Sequence, residues 1–129
     1  TSQRAAESDL YDLVEFYDQN DMLLNASSRL PGILSWGKIC FIKIDHEIVS
    51  CALTTTETDD AAMIGAVYTA TRFRNNGYAK DCILHLCRDL VLEYKKPYLF
   101  YRSEDDLLRG FYYSIGFRPI SDWILATRK

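Results

Sequence analysis

The sequence predicts an α/β fold, an α+β sandwich in which about four helices flank a mixed, mostly antiparallel sheet of about six strands. Three observations carry that expectation. Residues 38–44 (KICFIKI) and 47–56 (EIVSCALTTT) are β-rich runs joined at Asp45-His46-Glu47, the pattern of a hairpin. A third apolar run, Ala61–Thr69, follows an acidic loop and completes an antiparallel meander. That run leads through a short loop into a long amphipathic helix and then a strand at 98–102 (YLFYR). Strand, crossover helix and strand make a right-handed βαβ unit, so these two strands are parallel.

The elements follow in order. Ser8 is a candidate N-cap, with Asp9 and Asp12 near the first turn. Leu10, Leu13, Val14 and Tyr17 share a helical face, and the helix ends near Gln19-Asn20. A second helix over 25–35 is expected to be interrupted or redirected at Pro31-Gly32. Glu57, Asp59 and Asp60 read as a solvated acidic turn between strands. After Gly77, the residues Ala79, Ile83, Leu86, Cys87, Leu90 and Tyr94 recur in steps of three and four, the spacing of a helix lying on a sheet. Lys80, Asp81, Arg88, Asp89 and Glu93 form its wet face; Lys95-Lys96 answer its C-terminal dipole and Pro97 ends it. Glu104-Asp105-Asp106 opens a fourth helix with apolar Leu107, Leu108, Phe111, Tyr112 and Ile115, stopped by Gly116. Strands at 117–119 and 122–127 close the chain.

Residues 1–129 form a single domain, long enough to bury a core. A net charge of −3 argues against nucleic acid as a partner. No apolar run reaches the ~18 residues of a membrane span, and no signal peptide opens the chain. Cys40, Cys51, Cys82 and Cys87 lack zinc-site or CxxC spacing, so no metal is expected; buried, reduced thiols point to a cytoplasmic protein. Oligomeric assembly is left open.

The chemistry concentrates between strand and helix. Arg74-Asn75-Asn76-Gly77-Tyr78-Ala79 precedes the third helix directly. The first N–H groups of a helix have no intrahelical partner, and the macrodipole places partial positive charge there. Gly77 lets backbone approach a bulky anion, and Arg74 adds full charge. Lys80 either faces solvent or adds a second charge. The spacing is neither the Walker pattern nor the three-glycine dinucleotide fingerprint. Arg-x-x-Gly-x-Ala after a Val-Tyr-Thr strand resembles the coenzyme A pyrophosphate loop of the GNAT superfamily of N-acetyltransferases. Phe111-Tyr112-Tyr113-Ser114-Ile115-Gly116-Phe117 resembles the segment with which that superfamily closes its fourth helix.

The resemblance implies a GNAT-like sheet whose parallel strands splay to admit the pantetheine of acetyl-CoA, the cosubstrate. It implies that Val67 and Thr69 contact pantetheine through backbone atoms, that Arg74, Asn75, Asn76, Gly77, Tyr78 and Ala79 hold the pyrophosphate, and that Tyr112 is the general acid facing the coenzyme sulfur. The first two helices would flank the pocket for the amine, a small molecule or a peptide amino terminus. Such a domain normally begins with a strand, of which at most the last residues are present here. The chain is therefore expected to be the C-terminal part of a longer protein rather than a trimmed domain. Two positions depart from the family pattern. Asp105 stands where many members have a coenzyme-contacting Asn, and Met63 where some have a Glu base. His46 and His85 are not expected to be catalytic. The implied function is acetyl transfer to a primary amine. The alternative is a catalytically silent acyl-CoA-binding or sensor domain.

Overall fold

The computed structural model describes residues 1–102, 104–120 and 125–128. Strand β1 (Gln3–Arg4) and a 3-10 turn (Glu7–Asp9) lead into α1 (Leu10–Asn20) and α2 (Ala26–Trp36). The meander follows as β2 (Ile39–Ile44), β3 (Glu47–Glu57) and β4 (Ala61–Thr69). Then come α3 (Tyr78–Leu92), β5 (Lys96–Phe100), α4 (Asp106–Ile115), β6 (Phe117–Pro119) and β7 (Leu125–Arg128). The described strands form one seven-stranded sheet in the order β1-β2-β3-β4-β5-β7-β6. Among the described strands only β4 and β5 pair in parallel. The extra strand over the expected six is β1, whose two residues pair antiparallel with Phe41 and Cys40.

Each sheet face buries its own core. On one, α3 and α4 place Ile83, Leu86, Leu90, Tyr112 and Ile115 against Cys40, Ile42, Val49, Ile64 and Leu99. On the other, Leu13, Phe16 and Tyr17 of α1 and Leu30 and Ile33 of α2 cover Ile39, Phe41, Cys51 and Leu53. The β2–β3 hairpin turns through Asp45 and His46, both at positive φ (52° and 67°), as a two-residue hairpin turn requires.

Several local expectations are corrected. Ser8 does not cap α1; it lies in the 3-10 turn, and the Asp9 carboxylate accepts the Ala6 N–H at 2.8 Å. Pro31 does not break α2, because the carbonyl that loses its partner belongs to exposed Ser27 while Leu30 and Ile33 anchor the helix on the core. Helix α3 stops at Leu92, and Tyr94 adopts φ 62° and stands 93% exposed, so it is not part of the apolar face. Pro97 is accordingly inside β5. Leu107 of α4 is 88% exposed. Glu57 is no part of a solvated turn: its side chain is 4% exposed and binds Lys38, Lys95 and the Thr54 hydroxyl. The closing strand expected over 122–127 is described from Leu125 onward; residues 121–124 lie outside the described residues.

Candidate active site

The site begins where β4 leaves its parallel neighbour. Ala61, Ala62 and Met63 pair with Lys96, Pro97 and Tyr98, and no later β4 residue pairs with β5. On its other side β4 stays paired to β3, but the register slips. Gly65 faces Leu53 and Tyr68 faces Cys51, which leaves Ala66 and Val67 to share the place of one residue. This is a β-bulge, and Ala66 carries it at φ 50°. The bulge changes which face each side chain meets. Ala62 and Ile64 belong to the α3 face; beyond the bulge, Val67 packs there while Ala66, Tyr68 and Ala70 pack on the α1/α2 face. Val67 and Thr69 thereby line a cleft of about 410 Å³ between β4, the start of α3, and α4. Thr69 is fixed by a 2.8 Å hydrogen bond with the buried Ser50 hydroxyl.

The loop supplies a second wall. Gly77 is the N-cap of α3 at φ 78°, in the left-handed region, with no side chain capping the helix. A Cβ there would meet nothing within 4 Å, so the position opens onto empty space. The Arg74 amide is tied to the Thr71 carbonyl at 3.3 Å, and the first intrahelical bond runs from the Asp81 amide to Gly77. Among the described residues the N–H groups of 75–80 have no hydrogen-bond partner. Asn75 contributes a second left-handed residue, φ 67°. Arg74 donates its Nε–H to the Thr69 carbonyl at 3.0 Å and lays its guanidinium over the Tyr68 ring. Arg74, Asn75, Gly77, Tyr78, Ala79 and Lys80 all line the cleft. Asn76 does not; its side-chain amide turns back to the carbonyls of Phe73 and Arg74 and staples the loop.

Helix α4 closes the cleft with Leu108, Phe111 and Tyr112. Tyr112 is 8% exposed and is held by ring contacts to Tyr101, Phe111 and Phe117. Nothing among the described residues hydrogen-bonds its hydroxyl. Burial pushes the phenol up to about 12, so it is fully protonated at neutral pH. Asp105 is explained locally: its carboxylate accepts the Leu108 N–H at 3.0 Å and caps α4.

Other titratable groups stand elsewhere. Among the described residues no carboxylate lines this cleft. Burial would raise the Glu57 carboxyl, but hydrogen bonds from Lys95, Lys38 and Thr54 together outweigh it and hold it below its ordinary value. His46 sits in the exposed hairpin turn, and His85 bonds Ser2 at 2.8 Å and lies 3.4 Å from Asp89. The thiols of Cys40, Cys51 and Cys82 are all raised by burial, and none is poised as a nucleophile. Among the described residues no cluster of side chains could hold a metal, and no helix is long and apolar enough to cross a membrane. Sequence reasoning missed Tyr17, whose hydroxyl donates to the Ala66 carbonyl at 2.7 Å. On the sequence it is one more apolar-face residue of α1, and its tie to the bulge shows only in the fold.

The profile of the FR47-like protein family matches residues 37–124, a span holding the splayed strands, the loop and α4. The chain belongs to the FR47-like family, of the GNAT type of acetyltransferases. The fold is similar to a GNAT family acetyltransferase from Elizabethkingia anophelis, solved with acetyl-CoA bound: TM-score 0.75, 15% identity, covering 100% of this chain and 97% of that one. It is similar also to the PaiA N-acetyltransferase of Thermoplasma acidophilum, solved with coenzyme A, at TM-score 0.73 and 11% identity over 100% of this chain and 99% of that one. The aminoglycoside acetyltransferase AAC(6')-Iy, solved with a bisubstrate analogue, gives TM-score 0.80 and 12% identity over 94% of this chain and 92% of that one. No curated protein matches the sequence.

Proposed function

We propose that this chain transfers an acetyl group from acetyl-CoA to a primary amine, carried by a small molecule or by an amino terminus, in direct transfer with Tyr112 as general acid. One observation carries the reading. Unpaired backbone amides, a free phenol and an exposed strand edge open onto the same cleft, at the point where two parallel strands part. The chemistry of that cleft fits coenzyme A. The amides of residues 75–80 and the Arg74 guanidinium suit its pyrophosphate, and the β4 edge at Val67–Thr69 suits the amides of pantetheine. Asn76 serves by shaping the loop rather than by a side-chain contact.

Acetyl-CoA supplies the acyl group already activated as a thioester. The protein's part is to hold, orient and donate. In this reading a β4 backbone N–H beside the bulge would stabilise charge developing on the acyl oxygen, an effect worth roughly 3–4 kcal/mol per donor in acyl-transfer enzymes. The Tyr112 hydroxyl donates to the departing sulfur. The attacking amine must be neutral, and with no carboxylate among the described residues of the cleft its proton leaves through water. In the balance, the amine nitrogen loses one proton and the coenzyme thiol gains one. A single domain over 1–129, a cytoplasmic location and a peptide acceptor belong to the same proposal.

The lack of a carboxylate among the described lining residues favours one rival, a catalytically silent acyl-CoA-binding domain. Met63 occupies the strand position of the base, and Glu57 is locked between two lysines. Following free thiol release from acetyl-CoA over a panel of primary amines separates the two. Turnover with any amine, abolished or sharply reduced in Tyr112→Phe, supports the transferase. Tight coenzyme binding with no turnover on any amine supports the silent domain, and no binding at all removes both.

A further inference from the structure

We infer that Tyr17 is a positioning residue for the donor site: its hydroxyl, reaching from α1 to the Ala66 carbonyl at 2.7 Å, holds the β4 bulge in the phase that turns Val67 and Thr69 toward the cleft. The inference rests on the acetyl-transfer reading of that cleft and adds a residue on the opposite face of the sheet.

The bulge needs holding. Ala66 sits at φ 50°, a conformation that costs any residue carrying a Cβ. It also falls where two β4 residues share one place in the ladder, so strand pairing gives it little support. Tyr17 is 0% exposed, and its ring packs edge-on against Phe16, which in turn packs on Tyr68. The phenol therefore cannot swing away. The Tyr17 hydroxyl, inside the apolar core, donates to the half-buried Ala66 carbonyl, and losing that bond leaves the carbonyl without its side-chain partner.

The consequence of losing the bulge follows from strand geometry. Side chains alternate with a period of two, so ironing out one extra residue moves everything beyond it to the other face. Val67 and Thr69 would turn toward α1 and α2, the Tyr68 ring would leave Phe16, and the Ser50–Thr69 hydrogen bond would break. The loop at residues 75–80 lies past the strand and keeps its own supports, the Asn76 staple and the Gly77 cap. Arg74, tied to the Thr69 carbonyl at 3.0 Å and stacked on Tyr68, is the one grip residue that leans on this edge, so Tyr17 governs the pantetheine edge directly and the pyrophosphate grip only through Arg74.

Two probes separate those parts: ADP, which carries adenosine and the diphosphate but no pantetheine, and coenzyme A, which carries the pantetheine as well. Calorimetric titration of Tyr17→Phe should show coenzyme A bound about tenfold more weakly, the effect of one lost buried hydrogen bond, with ADP unchanged within about twofold. Adding Ala66→Gly to that variant should restore coenzyme A binding, because glycine takes positive φ without the Cβ penalty. Coenzyme A binding by Tyr17→Phe equal to wild type overturns the inference alone. Equal loss of both probes, with no recovery on adding Ala66→Gly, shows a general loss of fold and overturns it too. A wild-type protein that binds neither probe overturns the acetyl-transfer reading itself.

Discussion

Replacing Gly77 by alanine separates the cost of folding from the cost of binding. Gly77 holds φ 78°, and its missing Cβ points into space with no atom within 4 Å. Alanine there meets no clash in the protein, so the folding cost is backbone strain alone, roughly 1–2 kcal/mol. At about 2.1 cal/mol/K of unfolding entropy per residue, the 129-residue chain should lose about 4–7 °C of melting temperature. Binding should suffer more. The new methyl occupies the approach of an anion to the helix mouth and displaces it from one or two charge-assisted hydrogen bonds. Each is worth roughly 1.5–3 kcal/mol, so coenzyme A affinity should fall by at least about tenfold. Scanning calorimetry gives the first number and titration calorimetry the second. A variant that melts earlier but binds coenzyme A as tightly as wild type would refute the reasoning, since the empty space at Gly77 would then be plain solvent.

Tyr112→Phe should leave coenzyme A affinity within about twofold and lower kcat about 10- to 100-fold, the worth of one hydrogen bond to a charged sulfur. Because burial raises the phenol to about 12, the wild-type rate should show no loss of this donor below about pH 10; a fall in kcat nearer neutrality assignable to this tyrosine would contradict its placement. Glu57→Gln should destabilise the fold by about 3 kcal/mol, because it removes the negative charge at the centre of the buried Lys38–Glu57–Lys95 cluster and turns one accepting oxygen into a donor. Since the Glu57 carboxyl is depressed in the folded state, its contribution is present above the unfolded value of about 4.3 and is lost as pH falls below it, so wild type and variant should converge in acid melts. Asp105→Ala should cost about 1 kcal/mol while Asp105→Asn costs little, because asparagine also caps a helix; equal losses would show that Asp105 acts by charge rather than by capping.

The architecture was legible because its signals are local. Alternation in 38–44 and 47–56, the turn at Asp45-His46 and the three-and-four spacing from Ala79 to Leu90 each dictate an element without long-range help. The parallel pairing of β4 and β5 followed from chain handedness. The loop too is readable, since a glycine before a helix has few roles. What failed to show in the sequence depends on contacts across the fold. Glu57 looks solvated in a run with Asp59 and Asp60, until Lys38 and Lys95 arrive from distant segments to bury it. Pro31 looks like a breaker, until the buried anchors Leu30 and Ile33 hold the helix together around it. The bulge at Ala66 leaves no mark in an apolar run of small residues, so neither the switch of faces at Val67 nor its tie to Tyr17 could be read in advance.

The central claim is that the free amides at the head of α3 grip a diphosphate while the β4 edge beyond the bulge lies against the rest of the ligand. The most direct test is an amide-resolved NMR titration of the full chain with coenzyme A, repeated with ADP. Both ligands should move the signals of residues 75–80 together along one saturating curve, and only coenzyme A should move Val67 and Thr69. Signals at 75–80 that stay in place while resonances elsewhere shift would contradict the account.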